Sequence, residues 1–159
     1  MLSFKRVVGI DDQLCQFHMK QKQYYLLENV HPTKDYLLEN MKIPEGFDNR
    51  YHYIYKIYYG DNMIALLDYQ LGYRFSMIHD DKCLWIGLFL VDENLQRKGF
   101  GQEIIGCIVN KYKNDYNRIQ LACIEDNVKG LAFWKARGFK EIGSSMHQNL
   151  TVKVLERMI

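Results

Sequence analysis

The stretch Leu84 to Gln102, LWIGLFLVDENLQRKGFGQ, constrains the fold more than any other part of this chain. An unbroken apolar run from Leu84 to Val91, with β-branched and aromatic members, is too short for a lone helix and reads as a strand buried on both faces. It stops on Asp92-Glu93-Asn94. From Gln96-Arg97-Lys98-Gly99-Phe100-Gly101 an amphipathic helix opens, with Phe100, Ile104, Ile105, Ile108, Val109 and Tyr112 at helical spacing. A buried strand therefore feeds a helix through a basic turn that carries glycine.

Such a turn suits an anion. Gly99 and Gly101 lack Cβ atoms, so the backbone can take up strained angles and approach a ligand closely. The first-turn N–H groups and the positive end of the helix dipole point outward, and Arg97 and Lys98 add full charges. An ordinary strand-to-helix connection with two incidental glycines and two solvated bases would leave the same residues, because short glycine motifs recur by chance. Two phosphate motifs are excluded: there is no G-x-x-x-x-G-K-[ST], and the third glycine of G-x-G-x-x-G would fall on Ile104.

The turn resembles the [QR]-x-x-G-x-[GA] loop of the GCN5-related N-acetyltransferases (GNAT), whose backbone amides cradle the pyrophosphate of acetyl-CoA. In that family an L-x-V strand end precedes the loop, and Phe89-Leu90-Val91 stands in that relation to Gln96–Gly101. A second block, Asn127-Val128-Lys129-Gly130-Leu131-Ala132-Phe133-Trp134-Lys135-Ala136-Arg137-Gly138-Phe139, is similar to the family's N-x-x-[AG]-x-x-[FL]-[YW]-x-x-x-G-F helix. With the strands around them the two motifs cover Leu84 to Glu156, and the first half of the chain matches only loosely. The resemblance implies a single-domain α/β fold over residues 1–159, with a mixed, mostly antiparallel sheet whose central strands splay apart between flanking helices. It also implies an acetyl-CoA-dependent N-acetyltransferase in which the amine attacks the thioester directly.

Size and composition bound the alternatives. With 159 residues the chain is long enough for one full core and too short for two ordinary ones. Its 48% hydrophobic and 25% charged content is that of a soluble globular protein. A net charge of +2, with acidic residues spread among the basic ones, leaves no nucleic-acid footprint. Cys15, Cys83, Cys107 and Cys123 form no C-x-x-C pair and fit buried thiols in a reducing compartment, not a disulfide frame or a metal site. No apolar h-region follows the first charges and no apolar run approaches a membrane span, so the expected location is cytoplasmic, as a monomer or homodimer.

Along the chain, Phe4 to Gly9 reads as a strand, and Asp11-Asp12 cap a helix containing Leu14, Phe17 and His18. A second helix follows Pro32-Thr33, carries Tyr36, Leu37 and Met41, and ends at Pro44-Glu45-Gly46. Tyr51 to Tyr59 and Met63 to Leu71 form a hairpin turning at Gly60-Asp61-Asn62. Most of the tyrosines crowded into this half, a group that includes Tyr24, Tyr25 and Tyr69, read as sheet residues with wet hydroxyls, leaving one or two to touch a substrate. Later come a strand over Arg118 to Ile124, a helix capped by Asn127 and closed at Gly138, and strands over Phe139 to Gly143 and Leu150 to Leu155.

The family resemblance then assigns roles. Phe89, Leu90 and Val91 would line the pantetheine arm, Phe89 and Val91 bonding it through main-chain groups. The Phe89 N–H would meet the thioester oxygen, where one oxyanion donor is worth ~3 kcal/mol. Gln96, Arg97, Lys98, Gly99, Phe100, Gly101 and Gln102 would hold the pyrophosphate. Asn127 would cap its helix and reach the arm, and Phe133 and Trp134 would pack near the thiol end, although plain core positions have the same spacing. Two departures matter. The family often has a tyrosine at the Trp134 position to protonate the thiolate, and a glutamate base where this chain has Gly87.

A replacement base must come from elsewhere. Asp68 interrupts an apolar strand, and a carboxylate in that setting is either paired or functional. Tyr73, just past Gly72, is a candidate acid or acceptor-binding hydroxyl. Some family members share the aspartate, the Gly-Tyr and the Ile-Gly-Leu matched here by Asp68, Gly72-Tyr73 and Ile86-Gly87-Leu88. His79, Asp80 and Asp81 read as solvated loop residues, Glu125 and Asp126 as helix-start acids, and His52 as a satisfied sheet residue. The acceptor implied is an amine of a small molecule, amino acid or peptide. The rival functions are a non-catalytic CoA-binding or regulatory domain and an unrelated phosphate-ligand binder.

Overall fold

The computed structural model describes residues 1–42 and 49–159, and Pro44-Glu45-Gly46, expected to end a helix, lie outside the described residues. Seven strands form one mixed sheet: β1 (Leu2–Arg6), β2 (His52–Tyr59), β3 (Asn62–Arg74), β4 (Ile78–Val91), β5 (Arg118–Ile124), β6 (Lys140–His147) and β7 (Leu150–Met158), in the order β1-β2-β3-β4-β5-β7-β6. The described residues also form the helices α1 (Asp12–Lys20), α2 (Lys22–Glu28), α3 (Lys34–Asn40), α4 (Phe100–Tyr112) and α5 (Val128–Ala136). None of these is long and apolar enough to cross a membrane. The chain forms two compact units, Met1–Asp68 with Leu88–Phe100, and Tyr69–Gly87 with Gly101–Ile159, so β3 and β4 each run through both.

In the first unit β1 pairs antiparallel with β2, from Leu2↔Tyr59 to Arg6↔Tyr55. Leu14 and Phe17 of α1, Tyr25 of α2, Leu66 of β3 and Leu90 of β4 form its core, with Tyr24, Val30, Tyr36, Ile54 and Leu88 packed around them. Three helices stand where the sequence predicts two, because α2 has no cap of its own in sequence. Its cap comes from far away. Glu93 Oε1 accepts from the amides of Gln23 at 2.7 Å and Tyr24 at 3.3 Å. Tyr24 and Tyr25 are therefore helical, not sheet residues.

In the second unit β5 pairs antiparallel with β7 along its whole length, and β7 with β6. The buried face of α4 is the expected one, with Ile104, Ile105, Ile108 and Tyr112 inward. Tyr69 is fully buried, its hydroxyl 2.7 Å from that of Tyr112, so the reading of a wet sheet tyrosine fails there. His79, Asp80 and Asp81 lie on β4, not in a loop before it. Ion pairing explains the extension: the half-buried Asp80 faces Arg74 at 3.8 Å and Arg118 at 4.0 Å.

At the centre of the sheet the apolar run of β4 is not buried throughout, and its ladder with β5 stops short, in keeping with the splayed central strands that the family resemblance implies. The parallel ladder joins Cys83–Ile86 of β4 to Arg118–Leu121 of β5 and ends at Ile86↔Leu121, although β4 runs on to Val91 and β5 to Ile124. Beyond that point Gly87 is exposed and Leu88, Phe89 and Val91 are only half-buried.

Candidate functional site

The turn between β4 and α4 is built from its backbone. Asp92 accepts from the Asn94 amide, a short 3-10 turn runs over Glu93–Leu95, and the chain then swings through Arg97 at φ 63 and Gly99 at φ 88. These left-handed angles explain why α4 starts at Phe100 and not at Gln96. They also aim successive amides to one side, the geometry of an anion nest. A Cβ built on Gly99 would meet nothing within 4 Å, so the space in front of the turn is open. Gln96, Arg97, Lys98 and Gly99 are exposed. Among the described residues no carboxylate pairs with Arg97 or Lys98, and no side chain caps the first amides of α4. Open amides, free cations and room for a ligand fit a diphosphate.

Gln96 reaches back to the strand, its Nε2 donating to the Val91 carbonyl at 3.2 Å. One of the main-chain groups expected to meet a ligand arm is thus already engaged at its oxygen. Phe89, Leu90 and Val91 occupy the partly uncovered end of β4.

The sheet face under α1 and α2 carries the acid–base candidates of the first unit. Ile54, Leu66, Leu88 and Leu90 pack in the α1–α2 core, and side chains two residues apart on a strand share a face. His52 and Asp68 therefore point the same way, and they meet: His52 Nε2 lies 2.6 Å from Asp68 Oδ1, with side chains 11% and 17% exposed. On α2, Glu28 accepts from the Tyr24 hydroxyl at 2.6 Å and the Tyr36 hydroxyl at 3.0 Å. Burial first, and the Glu28 charge second, raise the pKa of Tyr24, Tyr25 and Tyr36, which keeps all three as neutral donors. From sequence alone His52 reads as a plain sheet residue and nothing local marks Glu28 or Glu93, since each of the three acts through residues it meets only in the fold.

The second unit holds the remaining predicted residues. Tyr73, half-buried on β3, meets the His79 ring edge-on at 5.6 Å. Gly101 and Gln102 sit in the first turn of α4. Asn127 caps α5, its Oδ1 accepting from Gly130 at 2.9 Å. Trp134 is buried against Phe139 and Phe133, at ring separations of 5.1 and 5.0 Å, whereas Phe133 is half-exposed beneath the Arg137 guanidinium. Trp134 is thus a core residue, and an indole N–H is no proton donor for a thiolate. Burial pushes the Cys83 thiol up to about 12 and that of Cys123 to about 11, so neither is a ready nucleophile for a covalent acyl intermediate. Among the described residues no group of three or more His, Cys, Asp or Glu is placed to hold a metal ion.

Comparison with known proteins agrees with this geometry. The Acetyltransferase (GNAT) family matches residues 13–139. The spermine/spermidine N(1)-acetyltransferase of Bacillus subtilis (strain 168) is 23% identical over 129 residues, 80% of this chain and 79% of the relative. An acetyltransferase from Thermus thermophilus superposes with a TM-score of 0.77 at 20% identity, covering 99% of this chain and 97% of its own. A GNAT acetyltransferase from Elizabethkingia anophelis, solved with acetyl-CoA bound, does so with a TM-score of 0.62 at 15% identity, covering 99% and 98%. With the family matched over most of its length and the open turn in place, this chain belongs to the GNAT family and is an acyltransferase that moves the acetyl group of acetyl-CoA to an amine.

Proposed function

We propose that the protein acetylates a primary amine of a small cationic molecule, with the coenzyme diphosphate held on the amides of Arg97 to Gln102. The observation that carries this reading is the uncapped start of α4, with Gly99 at φ 88 and open space before it. Gln96, Arg97 and Lys98 surround the diphosphate, and the N-terminal dipole of α4 adds its partial charge. Phe89, Leu90 and Val91, at the end of β4 that leads into the turn, are the residues assigned to the pantetheine arm. Acetyl-CoA supplies an activated acetyl thioester, and the Phe89 N–H stabilises the charge that develops on its oxygen.

On the acceptor side the anionic groups of the first unit favour a cation. Asp68 is the carboxylate that drives proton removal, and Glu28, held by two tyrosines, is a second anchor for an ammonium group. Polyamines head the list of acceptors, since a curated relative is named for spermine and spermidine. An α-amine, with a pKa near ~8, has a useful neutral fraction at pH 7, whereas a lysine-like amine near ~10.4 is almost wholly protonated. A polyamine end resembles the second, so this reading requires a working base.

Calorimetry with acetyl-CoA, followed by CoA release over a panel of spermidine, spermine, free amino acids, a peptide with a free N-terminus and an aminoglycoside, tests the proposal. Coenzyme binding with turnover of spermidine or spermine supports it. Coenzyme binding with no turnover across the panel overturns it in favour of a CoA-binding regulatory domain, and turnover restricted to neutral or anionic amines overturns the cationic acceptor.

A further inference from the structure

We infer that His52 is the proton acceptor of the reaction, with Asp68 acting through it. This rests on the acetyl-transfer reading above and names the reacting atom of its acid–base step. Asp68 on β3 places one carboxylate oxygen 2.6 Å from His52 Nε2 on β2. A carboxylate has no proton to share at neutral pH, so the bond requires Nε2 to carry the hydrogen, and the ring's basic lone pair lies on Nδ1. The structure gives Nδ1 no hydrogen-bond partner among the described residues. The carboxylate fixes the tautomer, holds the ring in place and stabilises the imidazolium that forms, the arrangement used wherever a carboxylate orients a histidine base.

The surroundings keep the pair available. Two cations of β1 and β2 are engaged elsewhere: Arg6 donates to the His52 backbone carbonyl at 2.9 Å and covers the Tyr53 ring, and Lys56 is paired with Asp11 and Gln13. The side chains of His52 and Asp68 are nearly buried, at 11% and 17% exposed, so the hydrogen bond between them is shielded from competing water. They share the sheet face with Leu88, the residue next to Phe89 on β4. At Gly87 itself β4 offers no side chain, and the pair on β2 and β3 supplies the acid–base group instead.

The step balances as follows. The ammonium gives one proton to His52 Nδ1; the freed amine forms a C–N bond to the acetyl carbon while the C–S bond breaks. The second nitrogen proton leaves on the coenzyme sulfur as the thiol, and His52 returns its proton to solvent. No oxidant, metal or covalent enzyme adduct is required.

CoA release is measured across about pH 5.5 to 9.5, with the best amine of the panel, for the wild type, His52→Gln, Asp68→Asn and His52→Ala with and without added imidazole. Coenzyme affinity, which does not involve His52, reports that each variant is folded. The expected result is a fall in kcat of about 100-fold or more for His52→Gln with KM and coenzyme affinity little changed, and loss of the acidic limb of the pH profile. Asp68→Asn should fall less and keep an altered limb, and imidazole should restore His52→Ala. Should His52→Gln misfold, the imidazole rescue decides alone. A His52→Gln enzyme with an unaltered pH profile, or a His52→Ala enzyme indifferent to imidazole, overturns the inference and leaves acetyl transfer standing. A wild type that binds coenzyme and turns over no amine overturns the underlying reading instead.

Discussion

At the start of α5 the Asn127 side chain turns back on its own helix and fills the position an outside ligand would need, accepting from the Gly130 amide at 2.9 Å. The start of α4 has no such side chain, and the turn before it is bent through Arg97 and Gly99 into left-handed angles with open space in front. The other helices side with α5. Asp11 accepts from Leu14 at 2.8 Å, Thr33 from Tyr36 at 3.2 Å, and Glu93 caps α2 from a distance. Side-chain caps are worth about 1 kcal/mol each, so among the described helices α4 forgoes that stabilisation, as the proposed diphosphate site requires. A helix start left open among closed ones is more informative than the helix dipole, which all of them share.

The sharpest way to break this contrast is to close α4. Gly99→Glu places a carboxylate over the open amides and forces a non-glycine residue to φ 88. Acetyl-CoA affinity should fall by at least about 100-fold, about 3 kcal/mol, in calorimetry. Left-handed strain should remove a further ~1–2 kcal/mol of stability, read in urea unfolding. Unchanged coenzyme affinity would mean that the open helix start is not the coenzyme site.

A polar group without a partner has a different consequence in the core. His18 is 1% exposed, its Nδ1 lies 2.6 Å from the Tyr25 hydroxyl, and its Nε2 has no hydrogen-bond partner among the described residues. Burial holds this imidazole down to about 4 from its ordinary 6.5. The folded state therefore binds the proton less readily than the unfolded one. The stability this contributes is complete above pH 6.5, is lost as pH falls, and is gone below about 4. The difference in proton affinity corresponds to about 3 kcal/mol. Wild-type stability should thus drop between pH 7 and pH 4 by about 3 kcal/mol more than that of His18→Leu, measured by urea unfolding at both pH values.

What can be read in the sequence follows the same division. Backbone-driven features are legible: the Gly99 turn, the Asn127 cap, the Gly138 closure and the α4 stripe each depend on residues within a few positions of one another. Features made by distant side chains are not. Glu93 gives no local sign that it caps α2, and α2 goes unseen with it. Asp68 stands out as a carboxylate in an apolar strand, yet its partner reads as a plain sheet histidine. The signal lies in the hairpin: a turn at Gly60-Asp61 sets Tyr59 beside Asn62, and counting back along both strands brings His52 within a residue of Asp68. The end of the β4–β5 ladder at Ile86 comes from the family resemblance and not from the apolar run itself, which looks the same whether a neighbouring strand or a bound ligand completes its burial.

Glu93 allows the contrast to be tested from the closed side. Glu93→Ala removes the acceptor for two α2 amides and leaves a seven-residue helix with no cap. Stability should fall by about 1–2 kcal/mol, with faster hydrogen exchange concentrated in α2. Loss of stability without faster exchange in α2 would show that Glu93 acts elsewhere.

The smallest effect is the most diagnostic of how α5 is closed. Asn127→Ala should cost about 1 kcal/mol by opening the helix start. A Cβ on Gly130 would come within 2.5 Å of Asn127 Nδ2 and displace the cap, so Gly130→Ala loses that same energy while gaining about 1 kcal/mol of helix propensity. In the wild type the two effects should nearly cancel. In the Asn127→Ala background there is no cap left to displace, and Gly130→Ala should then stabilise by about 1 kcal/mol. Equal effects of Gly130→Ala in both backgrounds, measured by urea unfolding, would mean that Asn127 does not close α5 through the Gly130 amide, and the distinction drawn between the two helix starts would lose its closed half.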